Sequence, residues 1–267
     1  MQSVDAKTVA SKLKKRPLPS IYVEAFRLFF TNLNRYLPAT IIPSLLIYFW
    51  EPHPAEDGAV TGAIFVPVFL YLVIVVLLSG ILGHITGHIY VGRHDRTSDT
   101  LKSATRLIPA EFVAGLLPAF GAGLAFTLWL RWGLKAGGLI IFLPAWGALL
   151  WAISILASIV VESENIKNPF RAIVRASRLL NARNKVYRDG LFIVFVVILN
   201  MTLVWLLGNY LGLRLIVKLI VEPVFEIVYG LLYFNLRFME GNFDIHVLTR
   251  ELGFESFEAA LAPAQTQ

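Results

Sequence analysis

Residues 62–92 read GAIFVPVFLYLVIVVLLSGILGHITGHIYVG, with no Asp, Glu, Lys or Arg. About 20 apolar residues of helix suffice to cross the hydrocarbon of a bilayer, so this run is long enough to span and must tilt or protrude. It does not alternate between apolar and polar residues as a membrane β-strand would. Working outward from it, five further apolar segments can be placed. They lie at about Tyr36–Trp50, Ile108–Leu130, Ala136–Val161 and Gly190–Gly212, with the last ending at Arg237. The expected fold is therefore all-α, a polytopic membrane bundle of about six transmembrane helices.

The composition of the 267 residues agrees. Hydrophobic residues make up 57% and charged residues only 16%, against about 25% charged in an ordinary soluble domain. That excludes disorder, a collagen-like fibre and a typical soluble enzyme. There is no cysteine, which removes disulfides, thiolate metal sites, a catalytic Cys and palmitoylation. The first 20 residues are polar and basic, without the apolar stretch of a cleavable signal peptide. The first span is expected to direct insertion.

Charge sets the expected orientation. With both termini inside, 20 Lys and Arg residues fall on the cytoplasmic side. Only Arg131, Lys135, Arg214 and Lys218 fall outside, the bias that orients multi-span proteins. Acids count 13 inside and five outside, so the formal charge of +6 is concentrated on the inner side. Three regions follow: a basic segment 1–19, a membrane domain 20–239 and an acidic tail 240–267. The expected location is a bacterial inner membrane with both termini cytoplasmic.

Cytoplasmic stretches before each pair of spans read as interfacial amphipathic helices. After Pro17, Ser20 can cap a helix with Glu24, Arg27, Thr31, Asn34 and Arg35 on its polar side and Phe26, Phe29, Phe30 and Leu33 on its apolar side. A shorter one follows Ser98. The third begins at Asn168-Pro169, a cap followed by Pro at the first helical position. It sets Arg171, Arg175 and Arg178 opposite Phe170, Ile173, Val174 and Leu180. Each base near an anionic leaflet contributes about 1 kcal/mol, so the three Arg are expected to bind lipid headgroups. A nucleic-acid partner is not expected, because the loop is short and pinned to the membrane at both ends.

Two stretches resemble a known family. Glu162–Asn181 looks like a pattern in which an acidic residue closes the fourth span and an Ala-x-x-x-Ser-x-x-Leu helix follows, here Ala172 to Leu179 or its neighbours. Leu232–Asp244 is similar to a Leu-Tyr-Tyr-Asp-Leu-Arg…Glu-Gly-Phe-Asp signature closing the last span, departing from it at Phe234 and Asn235. Together they resemble the glycerophosphoryl diester phosphodiesterase membrane-domain superfamily of six-span bacterial proteins. The resemblance implies architecture and a bacterial inner-membrane setting. It implies no reaction, since the phosphodiesterase activity resides in a separate soluble domain for which the six spans leave no residues here.

Local chemistry offers three candidates. His84 and His88 are four apart on one helix face, and Glu111 could join them as a third metal ligand; hydrogen bonding to neighbouring helices is the structural alternative. Arg214, Lys218, Glu222 and Glu226 recur at four-residue steps. They could form an intramembrane relay or an internal ion-pair stripe, with Asn200 or Asn209 from the fifth span. Gly83 with Gly87, and Gly208 with Gly212, make small-residue faces expected to pack against a partner. No cofactor is expected. The expected function is a non-catalytic accessory or scaffold subunit that binds another membrane protein, or itself as a homo-oligomer, together with anionic lipid. The alternatives are a small permease or lipid-handling transporter using Glu222/Glu226, and a metal-dependent membrane enzyme using His84, His88 and Glu111.

Overall fold

In a computed structural model, the residues described are 17–50, 65–91, 102, 106–128, 139–181, nine positions between 195 and 207, 213–239 and 245–251. Every regular element among them is helical, with no strand. In chain order these are α1 (Leu18–Thr31), α2 (Leu33–Trp50), α3 (Phe65–Tyr90), α4 (Ile108–Leu128), α5 (Leu139–Ser163) and α6 (Pro169–Asn181). A short α7 (Arg214–Ile216) follows, then a π-helical turn (Val217–Val221), α8 (Glu222–Met239) and α9 (Ile245–Glu251). Three of them, α3, α4 and α5, are long and apolar enough to cross a membrane. At 26 residues, α3 is about 39 Å long, longer than the ~30 Å hydrocarbon layer, so it must tilt or protrude.

Helix α3 forms the axis. It packs against α2, α4, α5 and α8, while α5 also packs on α4 and α6. Small residues permit the close crossings. A side chain at Gly115 would lie 2.0 Å from Val76 and 2.7 Å from Ser158, so α4 reaches α3 and α5 only because Gly is there. Ser154 Oγ donates to the Gly115 carbonyl at 2.6 Å, joining α5 to α4 by a buried hydrogen bond. Gly83 abuts Ile159 of α5, and Gly230 of α8 lies against the Gly83 backbone.

Local signals are realised to different degrees. Asn168 Oδ1 accepts the backbone N–H groups of Phe170 and Arg171 at 3.0 and 3.2 Å, capping α6 with Pro169 in its first turn. In α1 the cap is Pro17, not Ser20. Ser20 Oγ lies one turn inside and donates back to the Pro17 carbonyl at 2.7 Å. Asn32 separates α1 from α2, so the helix before the first apolar segment continues almost directly into it. Further along, Pro223 lacks the N–H that an α-helical turn needs and its ring crowds the preceding turn. The π turn at Val217–Val221 sits just before it and absorbs that mismatch.

Amphipathic faces differ from those expected. In α1, Phe29 and Glu24 face inward, while Phe26, Phe30 and Val23 are exposed. Rather than standing apart from the bundle, α1 packs along α8. Tyr22 meets the Phe225 ring edge-on at 6.1 Å and donates to Asn200 Oδ1 at 2.7 Å. In α6 the buried face is Ala172, Ala176, Leu179 and Leu180, leaving Phe170 and Val174 outside. Trp151 packs inside and Trp146 lies outside.

The small-residue faces also differ from those expected. Gly83 and Gly87 are both buried inside the chain and offer no surface to a partner. Gly83 is covered by Ile159 of α5 and Gly230 of α8. Gly87 lies one turn further along α3, and its carbonyl accepts the Val91 N–H at 3.1 Å, closing the end of that helix. The role of Gly87 is thus internal, where a partner-facing one was expected. The helix expected after Ser98, and Arg131, Lys135, Asn209, Gly208 and Gly212, lie outside the described residues.

Candidate functional site

The polar side chains buried in the bundle form three clusters. The first lies where α3 and α5 end and α4 begins. Glu111 occupies the first turn of α4, Glu162 the last turn of α5, and His84 and His88 the final turns of α3. All four are buried. The two carboxyl groups interact with each other and converge on Gly80. A side chain there would lie 1.9 Å from Glu111 Oε1 and 3.1 Å from Glu162 Cγ. His84 Nδ1 stands 3.3 Å from the Glu162 carbonyl oxygen and 3.9 Å from Glu162 Oε2. The two imidazole rings are 4.5 Å apart, centre to centre.

The two imidazoles thus lie side by side on α3, while Glu111 faces Glu162. Among the described residues no group of three or more His, Asp or Glu is arranged to hold a metal ion. Glu111 points to Glu162, a residue that spacing on a single helix could not nominate because it comes from α5.

The second cluster lies farther along α3 and α8. Ser79 Oγ donates to Glu226 Oε2 at 2.5 Å, and Lys218 Nζ donates to Glu222 Oε1 at 2.7 Å. Both contacts are buried. The charged stripe is thus folded inward, and each described charged member has a protein neighbour. Asn200 faces Tyr22 and Tyr229 rather than Glu226. The side chain of Arg214 lies outside the described residues.

The third cluster centres on Glu164, just beyond α5. Its carboxylate accepts hydrogen bonds from Arg175 Nε of α6 at 3.2 Å on both oxygens and from the Tyr233 hydroxyl of α8 at 3.0 Å, and forms an ion pair with Arg237, whose Nε lies 3.3 Å away. Arg237 in turn pairs with Glu251 of α9. Asn165 adopts a left-handed φ of 51°, a conformation Asn tolerates better than most residues, and so turns the chain from α5 toward α6. Burial pushes the Glu251 carboxyl up to about 7, partly opposed by the Arg237 charge.

This cluster changes the sequence-based assignment of Arg175. Arg175 turns inward to Glu164, leaving Arg171 and Arg178 exposed on α6. Tyr233 and Tyr90 are buried in the bundle, and Tyr90 packs on Phe234 at 5.5 Å. Glu164 lies in the Glu162–Asn181 stretch, but nothing in the sequence singles it out.

The two stretches that carry the family resemblance meet here, since Glu164 and Arg175 belong to one and Tyr233 and Arg237 to the other. The chain matches no protein-family model, no curated protein and no solved structure.

Proposed function

We propose that the chain is a six-span bacterial inner-membrane protein of the glycerophosphoryl diester phosphodiesterase membrane-domain type. In this reading both termini are cytoplasmic, and the protein serves as a non-catalytic accessory subunit attached to anionic lipid and to a second integral membrane protein. The observation that carries this reading is the contrast between inside and outside. The charges of the second and third clusters are engaged with one another. The outer surface instead offers apolar rows, chiefly Phe112, Val113, Leu117, Phe120 and Leu124 on α4. Beside them lies the outer face of α6, where Phe170 (64% exposed) and Val174 flank Arg171 and Arg178. Apolar side chains in lipid with Arg at phosphate level are what an interfacial helix requires. Its inner face is held by Glu164, so α6 would present Arg171 and Arg178 from a fixed platform. The exposed Phe26 and Phe30, beside Arg27 on α1, support a second contact of the same kind.

Co-purification from native membranes in mild detergent tests the reading. An integral membrane protein should accompany the chain. Added phosphatidylglycerol should raise the melting temperature of the purified protein, and Arg171→Gln/Arg178→Gln should remove that rise. A chain that elutes alone and monodisperse would overturn the accessory role, and a lipid response unchanged in the double variant would overturn the α6 contact.

A further inference from the structure

Glu111 and Glu162 stand apart from the other buried charges. They are 0% and 1% exposed. Among the described residues no Lys or Arg pairs with either, and no N–H or O–H of another side chain is in hydrogen-bonding geometry with any of their four carboxyl oxygens. What each carboxyl does face is the other one. Two carboxylates side by side, away from water and without a cation, repel strongly, and the Gly80 backbone N–H on the Glu111 side is too little to satisfy four carboxylate oxygens. One added proton resolves both defects, because it removes a charge and turns one carboxyl into the donor the other lacks.

We propose that Glu111 and Glu162 form a binding site for a single proton, held between their carboxyl groups at the seam between α4 and α5. Gly80 is part of the site. The Glu111 carboxyl occupies the place where any larger residue on α3 would put its Cβ. His84 of α3 lies 3.9 Å from Glu162, with the His88 ring 4.5 Å from its own, and among the described residues no metal-holding group of three forms. Other acidic groups on the packed helices are committed elsewhere: Glu226 of α8 to Ser79, and Glu164 to Arg175 of α6 and Arg237 of α8. Glu111 lies in the first turn of α4, Glu162 in the last turn of α5 and His84 and His88 in the final turns of α3, so the site sits toward one end of the bundle. This goes beyond the accessory role, which does not depend on it.

Infrared spectroscopy of the protein in lipid nanodiscs reads the proton directly. A Glu226→Gln/Glu251→Gln background removes the other buried glutamate bonded to α3 and the Glu251 carboxyl, which would itself be partly protonated at pH 7. There, at pH 7, we expect a protonated-carboxyl carbonyl band that shifts in D2O. Adding Glu111→Gln or Glu162→Gln should abolish it, since the new amide donates to the remaining carboxylate and takes over the proton's role. The double variant Glu111→Gln/Glu162→Gln, with a neutral amide pair, replaces a single variant that does not fold, and the band should be lost there too. Absence of the band in the Glu226→Gln/Glu251→Gln background overturns the proposal, as does a band that persists in these variants. A band that disappears on adding sodium to otherwise unchanged protein also overturns it, because the site would then hold a metal cation.

Discussion

Glu164 joins more of the chain than any other side chain in the three clusters. One carboxylate, just past the end of α5, receives an Arg from α6 and both a Tyr and an Arg from α8. Removing one partner from a buried ion pair costs about 3–5 kcal/mol, because the opposite charge is left uncompensated in a poor solvent for it. Arg237 keeps Glu251 and Arg175 is part-exposed, so Glu164→Gln should fall near the lower end, about 3 kcal/mol. A clear drop in the melting temperature of the detergent-purified protein would register it. Arg178→Gln, on the exposed side of α6, should leave the melting temperature unchanged in the absence of added anionic lipid. The local part of this region is readable from sequence. Asn168 and Pro169 cap α6 through bonds to residues two and three positions away. The Glu164 partners are not readable, because Tyr233 lies 69 residues on and periodicity within one helix carries no information about it.

At the scale of elements, α9 is the piece whose docking should respond to pH. Its Leu248 and Thr249 are buried, and its Glu251 meets Arg237. Docking raises the Glu251 carboxyl from an ordinary 4.5 to about 7, mainly by desolvation. The docked state therefore prefers the protonated form. The stabilisation that Glu251 contributes is full below about pH 4.5 and is lost as pH rises through about 7. Hydrogen exchange across residues 245–251 should accordingly be slower at pH 5 than at pH 8, after correction for the intrinsic rate. Glu251→Gln should flatten the difference, and an unchanged pH dependence in that variant would assign it to another group. The π turn before Pro223 illustrates the same scale from the opposite side. The break is foreseeable from Pro, but its form depends on how Lys218 and Glu222 are held in the bundle.

For the whole molecule, the absence of cysteine makes orientation directly measurable. Single Cys substitutions at Ser177 in α6 and at His53, between the first two apolar segments, should react with a membrane-impermeant maleimide from opposite sides of intact cells. Ser177→Cys is expected to label only after the cytoplasm is opened, and His53→Cys is expected to label from outside the inner membrane. Labelling of both from the same side would discard the six-span topology. The class of protein was already determined by the sequence. Membrane insertion depends on apolar residues summed along a helix, and capping depends on neighbours a few positions apart, so both are written in contiguous stretches. Tertiary structure alone decided which polar groups meet and which faces stay open. It turned Arg175 from the lipid toward Glu164, buried Gly83 and Gly87 within the chain, and set Glu111 against Glu162. The reason is physical: in a helical bundle, the partner of a buried charge is chosen by which helix ends pack together, and those ends lie tens of residues apart along the chain.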